Sequence, residues 1–239
     1  MADGVHAGQG DFVLEIGPGL GTLTEVLLAR GANVTAVEFD HDLAVDLPRR
    51  VQHKNLQVVE QDILSFDFTQ LPPHYKVAAN IPYYLTSNLL RVMCESSNPF
   101  SKAALLIQKE VAERVCAGPG DMSLLSVSVQ FYCEASLGML VPAELFTPPP
   151  KVDSQILLLS YRGQPLFADV DTKQFFRLVK AGFSQRRKKL RSSLSAGLVI
   201  SKQDAETLLV QAGLDPNLRA QNLSLDDWHS LYRAHFPAA

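Results

Sequence analysis

The chain has 239 residues, 46% of them hydrophobic and 20% charged, and a formal charge of −3; that balance belongs to globular proteins and excludes a disordered or fibrous chain. No run of about 18 apolar residues occurs, so no membrane-spanning helix and no membrane partner are expected. Met1-Ala2-Asp3-Gly4 has neither the basic start nor the apolar stretch of a secretory leader, which points to the cytoplasm; the three cysteines, Cys94, Cys116 and Cys133, form no CxxC and read as reduced thiols, not as a disulfide framework or zinc site.

Along the first 110 residues, short apolar runs alternate with amphipathic stretches, the pattern of an α/β protein with a parallel sheet. A strand is expected at 12–16, running into Gly17-Pro18-Gly19-Leu20-Gly21, then a helix over 22–30 that stops at Gly31. A strand at 33–37 ends in Glu38-Phe39-Asp40. It is followed by a helix over about 42–51, interrupted by Pro48, and by a strand at 56–59 that ends at Gln61-Asp62. A strand at 76–79 leads to Asn80-Ile81-Pro82-Tyr83-Tyr84, with a helix at 87–94 and a strand at 103–107 after it. The rhythm then changes. Strands at 134–141 and 154–161 flank a Pro-rich connection and suggest a closing antiparallel hairpin. Helices are expected at 172–183, 186–195, 202–212 and 225–235, the last with Ser224 and Asp227 as a capping box. The natural boundary lies near Gly163-Gln164-Pro165, giving domains 1–163 and 164–239.

The net charge conceals an asymmetry. Residues 1–150 hold 9 Lys and Arg against 17 Asp and Glu, and residues 151–239 hold 13 against 8. A polyanion met mainly through the second part would explain this, as would ordinary solvated faces of mixed charge.

Three glycines at i, i+2 and i+4 after a strand let the backbone approach a ligand and open a helix whose amides face it. A dinucleotide fingerprint wants the third glycine at i+5, where this chain has Thr22, so the spacing leans away from NAD. Alone, the turn equally fits a tight βα connection with no ligand. Glu38 ends the second strand, where a carboxylate accepts both ribose hydroxyls, and Asp62 ends the third, in reach of an adenine amine. Three successive strand ends thus carry a pattern suited to a nucleoside cofactor. The six histidines have no ligand spacing and read as surface residues, so no metal is expected.

The amine of adenine is a poor nucleophile because its lone pair is delocalised into the ring. If the Asn80 side-chain oxygen and the Ile81 carbonyl accept hydrogen bonds from it, the nitrogen is biased towards a tetrahedral form with its lone pair exposed. Pro82 would fix the local backbone, and Tyr83 offers a ring for a flipped-out base, worth about 1–3 kcal/mol. A sulfonium methyl could then move by direct displacement, driven by proximity and aimed hydrogen bonds. The plain alternative is an Asn-Pro-type turn before a helix.

Glu15-Ile16-Gly17-Pro18-Gly19-Leu20-Gly21, Glu38-Phe39-Asp40, Gln61-Asp62-Ile63, Asn80-Ile81-Pro82-Tyr83-Tyr84, Phe146-Thr147-Pro148-Pro149-Pro150-Lys151-Val152-Asp153-Ser154 and Phe183-Ser184-Gln185-Arg186-Arg187-Lys188-Lys189-Leu190 occur in that order. Together they resemble the small-subunit ribosomal RNA adenine dimethyltransferase family, over about residues 10–236. The resemblance implies a Rossmann-like class I S-adenosyl-L-methionine-dependent methyltransferase with a small C-terminal all-helical domain. Such an enzyme dimethylates N6 of two adjacent adenosines near the 3′ end of small-subunit, 16S-type rRNA during ribosome biogenesis. It implies that Glu15, Gly17, Gly19 and Gly21 hold the methionine part of the cofactor. Glu38 would bind its ribose, Asp62 its adenine amine, with Ile63 and Asn80 in the same cofactor-binding set. Asn80, Ile81, Pro82 and Tyr83 would hold the target adenine, and Phe146 would stack on its other face; on the residues alone, Phe146 reads as part of the hairpin core.

Arg186, Arg187, Lys188, Lys189 and Arg191 put five cations in six residues, a density suited to an RNA phosphate backbone, although a solvated helix would show it too. The partner implied is the small ribosomal subunit, met by a monomer. The family's N-terminal arm, with a basic stretch and a Gln-x-Phe-Leu-type motif, has no counterpart before residue 12, so weaker cofactor binding is expected than in a chain carrying it. Three other functions remain open. They are a large-subunit rRNA adenine methyltransferase of the antibiotic-resistance type, a non-catalytic assembly factor that keeps the fold, and, less favoured, an NAD-dependent oxidoreductase.

Overall fold

The computed structural model describes residues 1–236 and falls into two units, Met1–Glu113 with Tyr132–Gly163, and Arg114–Phe131 with the chain from Gln164 onward. The first holds β1 (Phe12–Ile16), α1 (Thr22–Ala29), β2 (Asn33–Glu38), α2 (His41–Arg50), β3 (Leu56–Glu60), β4 (Lys76–Asn80), α3 (Thr86–Cys94) and β5 (Lys102–Gln108). After α4 (Lys109–Val115) and α5 (Leu124–Gln130) the chain returns with β6 (Cys133–Val141) and β7 (Ser154–Tyr161). The seven strands form one sheet in the order β3-β2-β1-β4-β5-β7-β6. Strands β1 to β5 are parallel, and β7 runs antiparallel to both β5 and β6, the closing hairpin the sequence suggested.

The central strands are apolar almost without a break because both their faces are covered. Val13, Leu14 and Ile16 of β1, Val77, Ala78 and Ala79 of β4, and Ala103 to Ile107 of β5 are buried. The residues before β1 join this core: Ala2, Val5 and Ala7 pack into the cluster that holds Leu27, Leu28 and Val34. Helix α2 begins where the Asp40 carboxylate accepts from the Leu43 amide. It differs from expectation by continuing through Pro48 to Arg50. The Asp40 cap and the burial of Ala44 and Leu47 offset the amide that proline lacks.

The sheet register sets the site. Val37 of β2 and Ala79 of β4 both stand opposite Ile16 of β1, and Val59 of β3 stands opposite Val37. One residue further on, Gly17, Glu38, Glu60 and Asn80 therefore emerge at the same level of the sheet's carboxyl edge. The edge is spanned by β1 and β4, between which the strand order reverses, the place where open α/β sheets bind ligands.

The second unit contains α5, α6 (Thr172–Phe183), α7 (Leu190–Leu198), α8 (Lys202–Gln211) and α9 (Leu225–His235). Phe175, Phe176, Leu178 and Val179 of α6 face its core, and Trp228 of α9 is fully buried. A Cβ on Gly182 would collide with that indole. The unit differs from the expected 164–239 because 114–131 joins it. Phe131 stacks on Phe175 at 4.8 Å and meets Phe176 edge-on at 5.3 Å. Gly120 and Gln221 bond in both directions, the Gly120 amide to the Gln221 carbonyl at 2.9 Å and the Gln221 side-chain amide to the Gly120 carbonyl at 2.7 Å. A contiguous reading of the chain could not anticipate pairings about 100 residues apart. The basic run also departs from expectation. Helix α7 begins at Leu190, so Arg186 to Lys189 occupy a turn, where adjacent cations stay in solvent while Leu190 anchors the helix in the core.

Candidate active site

Gly17, Gly19 and Gly21 all have positive φ, at 64, 55 and 90°, which explains why glycine is required at each. Their surroundings differ. A Cβ on Gly19 would meet nothing within 4 Å, one on Gly17 would touch only the Asn80 carbonyl, at 3.8 Å, and one on Gly21 would sit 2.7 Å from Leu47 Cδ1. Gly21 therefore seats α1 against α2, and Gly19 leaves its outer side open. Glu38 is 93% buried (7% exposed). Its Oε2 accepts from the Gly19 amide at 3.2 Å and its Oε1 from the amides of Phe39 and Asp40 at 2.9 and 3.0 Å. These bonds fix the carboxylate in register with the glycine turn.

Beneath the turn lies a cavity of about 550 Å³ whose walls include Glu15, Gly17, Gly19, Asn80 and the first three residues of the chain. Glu15 is 1% exposed, and burial, with the Glu38 charge adding, pushes its carboxyl up to about 7; Thr24 offsets part of the rise. Neither Glu15 Oε2 nor Thr24 Oγ1 has a hydrogen-bond partner among the described residues. A buried acid with one free oxygen, on the wall of a cavity at the sheet's switch point, suits a ligand that brings a cation. The amino end of S-adenosylmethionine fits that need, and the open flank of Gly19 leaves room for it. Asp62 is exposed, and its side chain accepts from the Leu64 amide at 2.9 Å, capping the short turn Ile63–Ser65, in which Ile63 is buried.

Asn80 is exposed at the tip of β4, and its side chain makes no hydrogen bond among the described residues, so its amide is available to a ligand. The Ile81 amide donates to the Leu106 carbonyl at 3.1 Å, tying the segment to β5. Pro82 has φ −54 and ψ 131° and opens the turn Tyr83–Leu85. The Tyr83 hydroxyl lies 3.0 Å from Ser154 Oγ at the start of β7. Two motifs about 70 residues apart, Asn80 to Tyr84 and Phe146 to Ser154, thus meet at a buried serine. Asp153 braces the second motif, its Oδ1 accepting from the Ala143 amide at 3.0 Å. Phe146 is half-buried just after the turn Ala143–Leu145, outside the fully buried hairpin core expected from the residues alone, and it makes no ring contact with Tyr83 among the described residues.

Thr24 lies outside the motifs of the sequence, and Ser154, which closes one of them, has no role assigned from sequence. Each lies opposite a site residue only once the sheet is assembled. Leu20 and Phe39 likewise stand in motifs with no role assigned; they follow the second glycine and Glu38 directly and are 64% and 76% exposed. In the second unit Arg186, Arg187 and Lys188 are exposed, with no side-chain partner among the described residues. Lys189 Nζ instead donates to Asn217 Oδ1 at 2.7 Å, and Arg191 pairs with Glu206 at 3.0 Å. The five cations are therefore not equivalent.

Residues 4–235 match the family model described as ribosomal RNA adenine dimethylase. The chain is 40% identical over 225 residues to the ribosomal RNA small subunit methyltransferase A of Dehalococcoides mccartyi, covering 92% of this chain and 77% of that one. It is 41% identical over 239 residues to the protein of the same name from Syntrophotalea carbinolica, covering 97% and 90%. Among solved structures it resembles a dimethyladenosine transferase from Plasmodium falciparum, with TM-score 0.81 and 26% identity over 96% of this chain and 91% of that one. It also resembles the 23S rRNA methyltransferase ErmE, with TM-score 0.77 and 28% identity over 98% and 94%.

Proposed function

The chain belongs to the ribosomal RNA adenine dimethylase family, and from that membership we propose how its residues divide the reaction and which RNA they act on. The protein is an S-adenosylmethionine-dependent rRNA adenine N6,N6-dimethyltransferase. Its substrate, in this reading, is the 16S-type rRNA of the small ribosomal subunit, as the relatives' name suggests, and it would meet that rRNA as a monomer in the cytoplasm. No described helix is long and apolar enough to cross a membrane. The reading rests above all on Glu15 and Asn80 sharing one cavity wall.

When bound, S-adenosylmethionine supplies an electrophilic methyl on a sulfonium. Glu15 would hold the cation of its methionine part, with Gly17, Gly19 and Gly21 admitting it beside the backbone. Glu38, already fixed by three amides, would accept from the ribose. Asp62 and Ile63 would border the adenine. Asn80 and the Ile81 carbonyl would accept hydrogen bonds from the amine of the target base and so expose its lone pair, with no nucleophilic residue required. Pro82 would keep these acceptors aimed. Tyr83, held through Ser154, would offer one stacking face and Phe146 the other. After one transfer the amine keeps one N–H, so one of the two acceptors, Asn80 or the Ile81 carbonyl, would still hold it for a second round. Arg186, Arg187, Lys188, Lys189 and Arg191 would grip phosphates.

The test is methyl transfer from labelled cofactor onto purified unmethylated small subunits, large-subunit RNA and naked RNA, with products located by mass spectrometry. Two adjacent dimethyladenosines in small-subunit rRNA are expected. Exclusive labelling of large-subunit RNA, the outcome the likeness to ErmE would favour, overturns the reading. Subunit binding without transfer would favour an assembly factor.

A further inference from the structure

In three helices a surface cation pairs with an acid one turn away. Arg50 pairs with Asp46 at 2.8 Å in α2, Arg91 with Glu95 at 3.1 Å at the end of α3, and Lys109 with Glu113 at 4.0 Å in α4. Arg49 and Lys202 stand exposed without such a pair among the described residues, and α6 gathers three cations in that state. Lys173, Arg177 and Lys180 lie at i, i+4 and i+7, all exposed and without an ion pair among the described residues. Like charges at these spacings repel. Lys173 also stands in the first turn, where the helix dipole disfavours a cation and no acid follows the Asp171 cap.

The opposite face of α6 is committed to the core, so the stripe cannot turn inward. Its three cations line one open depression with Ala181, Ser184 and Gly197. Arg177 carries its charge towards His235 of α9, whose imidazole is held below its ordinary value by burial and by that charge, so no acid neutralises Arg177 there. Ser184 links the depression to the unpaired turn Arg186-Arg187-Lys188 that follows it in the chain. Lys173 to Lys180 spans about 10 Å at 1.5 Å per residue, enough to meet two or three successive phosphates.

Resting on the rRNA reading above, we propose that Lys173, Arg177 and Lys180 form a second phosphate-binding track that extends the basic turn along α6 and binds the RNA backbone without reading its sequence. Such contacts release counterions, and each phosphate neutralised steepens the fall of log K with log salt by about 0.7–0.9.

The experiment measures binding of the full chain to purified unmethylated small subunits between about 50 and 200 mM salt. It compares the unsubstituted protein with K173Q/R177Q/K180Q and with R187Q/K188Q. The first variant is expected to bind at least about tenfold more weakly at the low-salt end and to lose about 2 units of slope, with S-adenosylmethionine affinity and circular dichroism unchanged. Lys173→Gln alone, at an exposed position, should lose somewhat less than one unit. An unchanged slope in the triple variant, beside a reduced slope in R187Q/K188Q, overturns the α6 track and leaves the turn as the RNA contact. Unchanged slopes in both variants, or no subunit binding by the unsubstituted chain, overturn the RNA reading together with the track. Crosslinks from α6 to a ribosomal protein in place of rRNA overturn the track as well.

Discussion

Glu15 carries a measurable cost of its burial. Its carboxyl titrates near 7 in the folded chain against an ordinary 4.5, with burial as the main cause. The folded state therefore keeps a proton that the unfolded chain has released between these values. The stabilising contribution of that proton is complete below about 4.5 and is lost as pH rises through about 7. In cofactor-free protein, Glu15→Gln should leave stability at pH 4.5 nearly unchanged and raise it at pH 8 by up to about 3 kcal/mol. Urea unfolding of both proteins across this range checks the sign; parallel pH profiles would remove the argument. The same substitution should weaken cofactor binding, because a neutral amide cannot balance a cation. Asn80→Ala has the converse profile. It should lower methyl transfer by about 10² to 10³-fold, the loss typical when a polarising hydrogen-bond group is removed, with subunit binding retained in a sedimentation assay. The glycines separate in the same manner. Gly21→Ala forces a left-handed residue against Leu47 and should cost about 1–3 kcal/mol in thermal unfolding. Gly19→Ala, with open space beside it, should cost less stability and more cofactor affinity, a contrast calorimetry can read.

Elements report which parts of the fold pattern alone can reveal. All seven strands were legible: β1, β4 and β5 are continuous apolar runs because both their faces are buried, β2 and β3 follow in the same alternation, and β6 and β7 are the apolar runs on either side of the Pro-rich connection. The carboxylates at the tips of the parallel strands were legible because such sites lie at strand ends. Helix α5 was not. Leu124-Leu125-Ser126-Val127-Ser128-Val129 alternates like a strand and is rich in valine. Its helical form depends on the reciprocal Ser123–Ser126 cap and on aromatic packing that local pattern cannot show. The start of α7 was misplaced for a related reason. Arginine and lysine favour helices, yet nothing in the core holds residues 186–189, whereas Leu190 is fully buried. The Tyr83–Ser154 contact joins residues 71 apart and was likewise invisible. Phe131 offers a direct test of which unit the intervening segment stabilises. Phe131→Ala should cost about 3–5 kcal/mol and speed amide exchange in α6 and α9, with protection of β1 and β4 unchanged. Equal loss of protection in the parallel sheet would contradict the assignment.

For the whole molecule, the two units hold opposite charge. The first carries 10 Lys and Arg against 17 Asp and Glu, and the second 12 against 8. The two ligands should therefore answer salt differently. Raising salt from about 50 to 200 mM should weaken subunit binding by roughly 10³-fold or more, while affinity for the small cofactor changes little; a comparable loss for both would refute the division. The division into units also bears on how the chain is made. The helical unit is not contiguous, since 114–131 precedes the last two strands of the sheet and the aromatic partners of Phe131 (Phe167, Phe175 and Phe176) come about 36 to 45 residues later. At a synthesis rate of about 5–20 residues per second, this segment spends roughly 2–9 s outside the ribosome with its apolar face unmatched. During that interval the β6–β7 hairpin is synthesised. The order of translation thus makes 114–131 a waiting element, and the helical unit can close only after the sheet has its final strand.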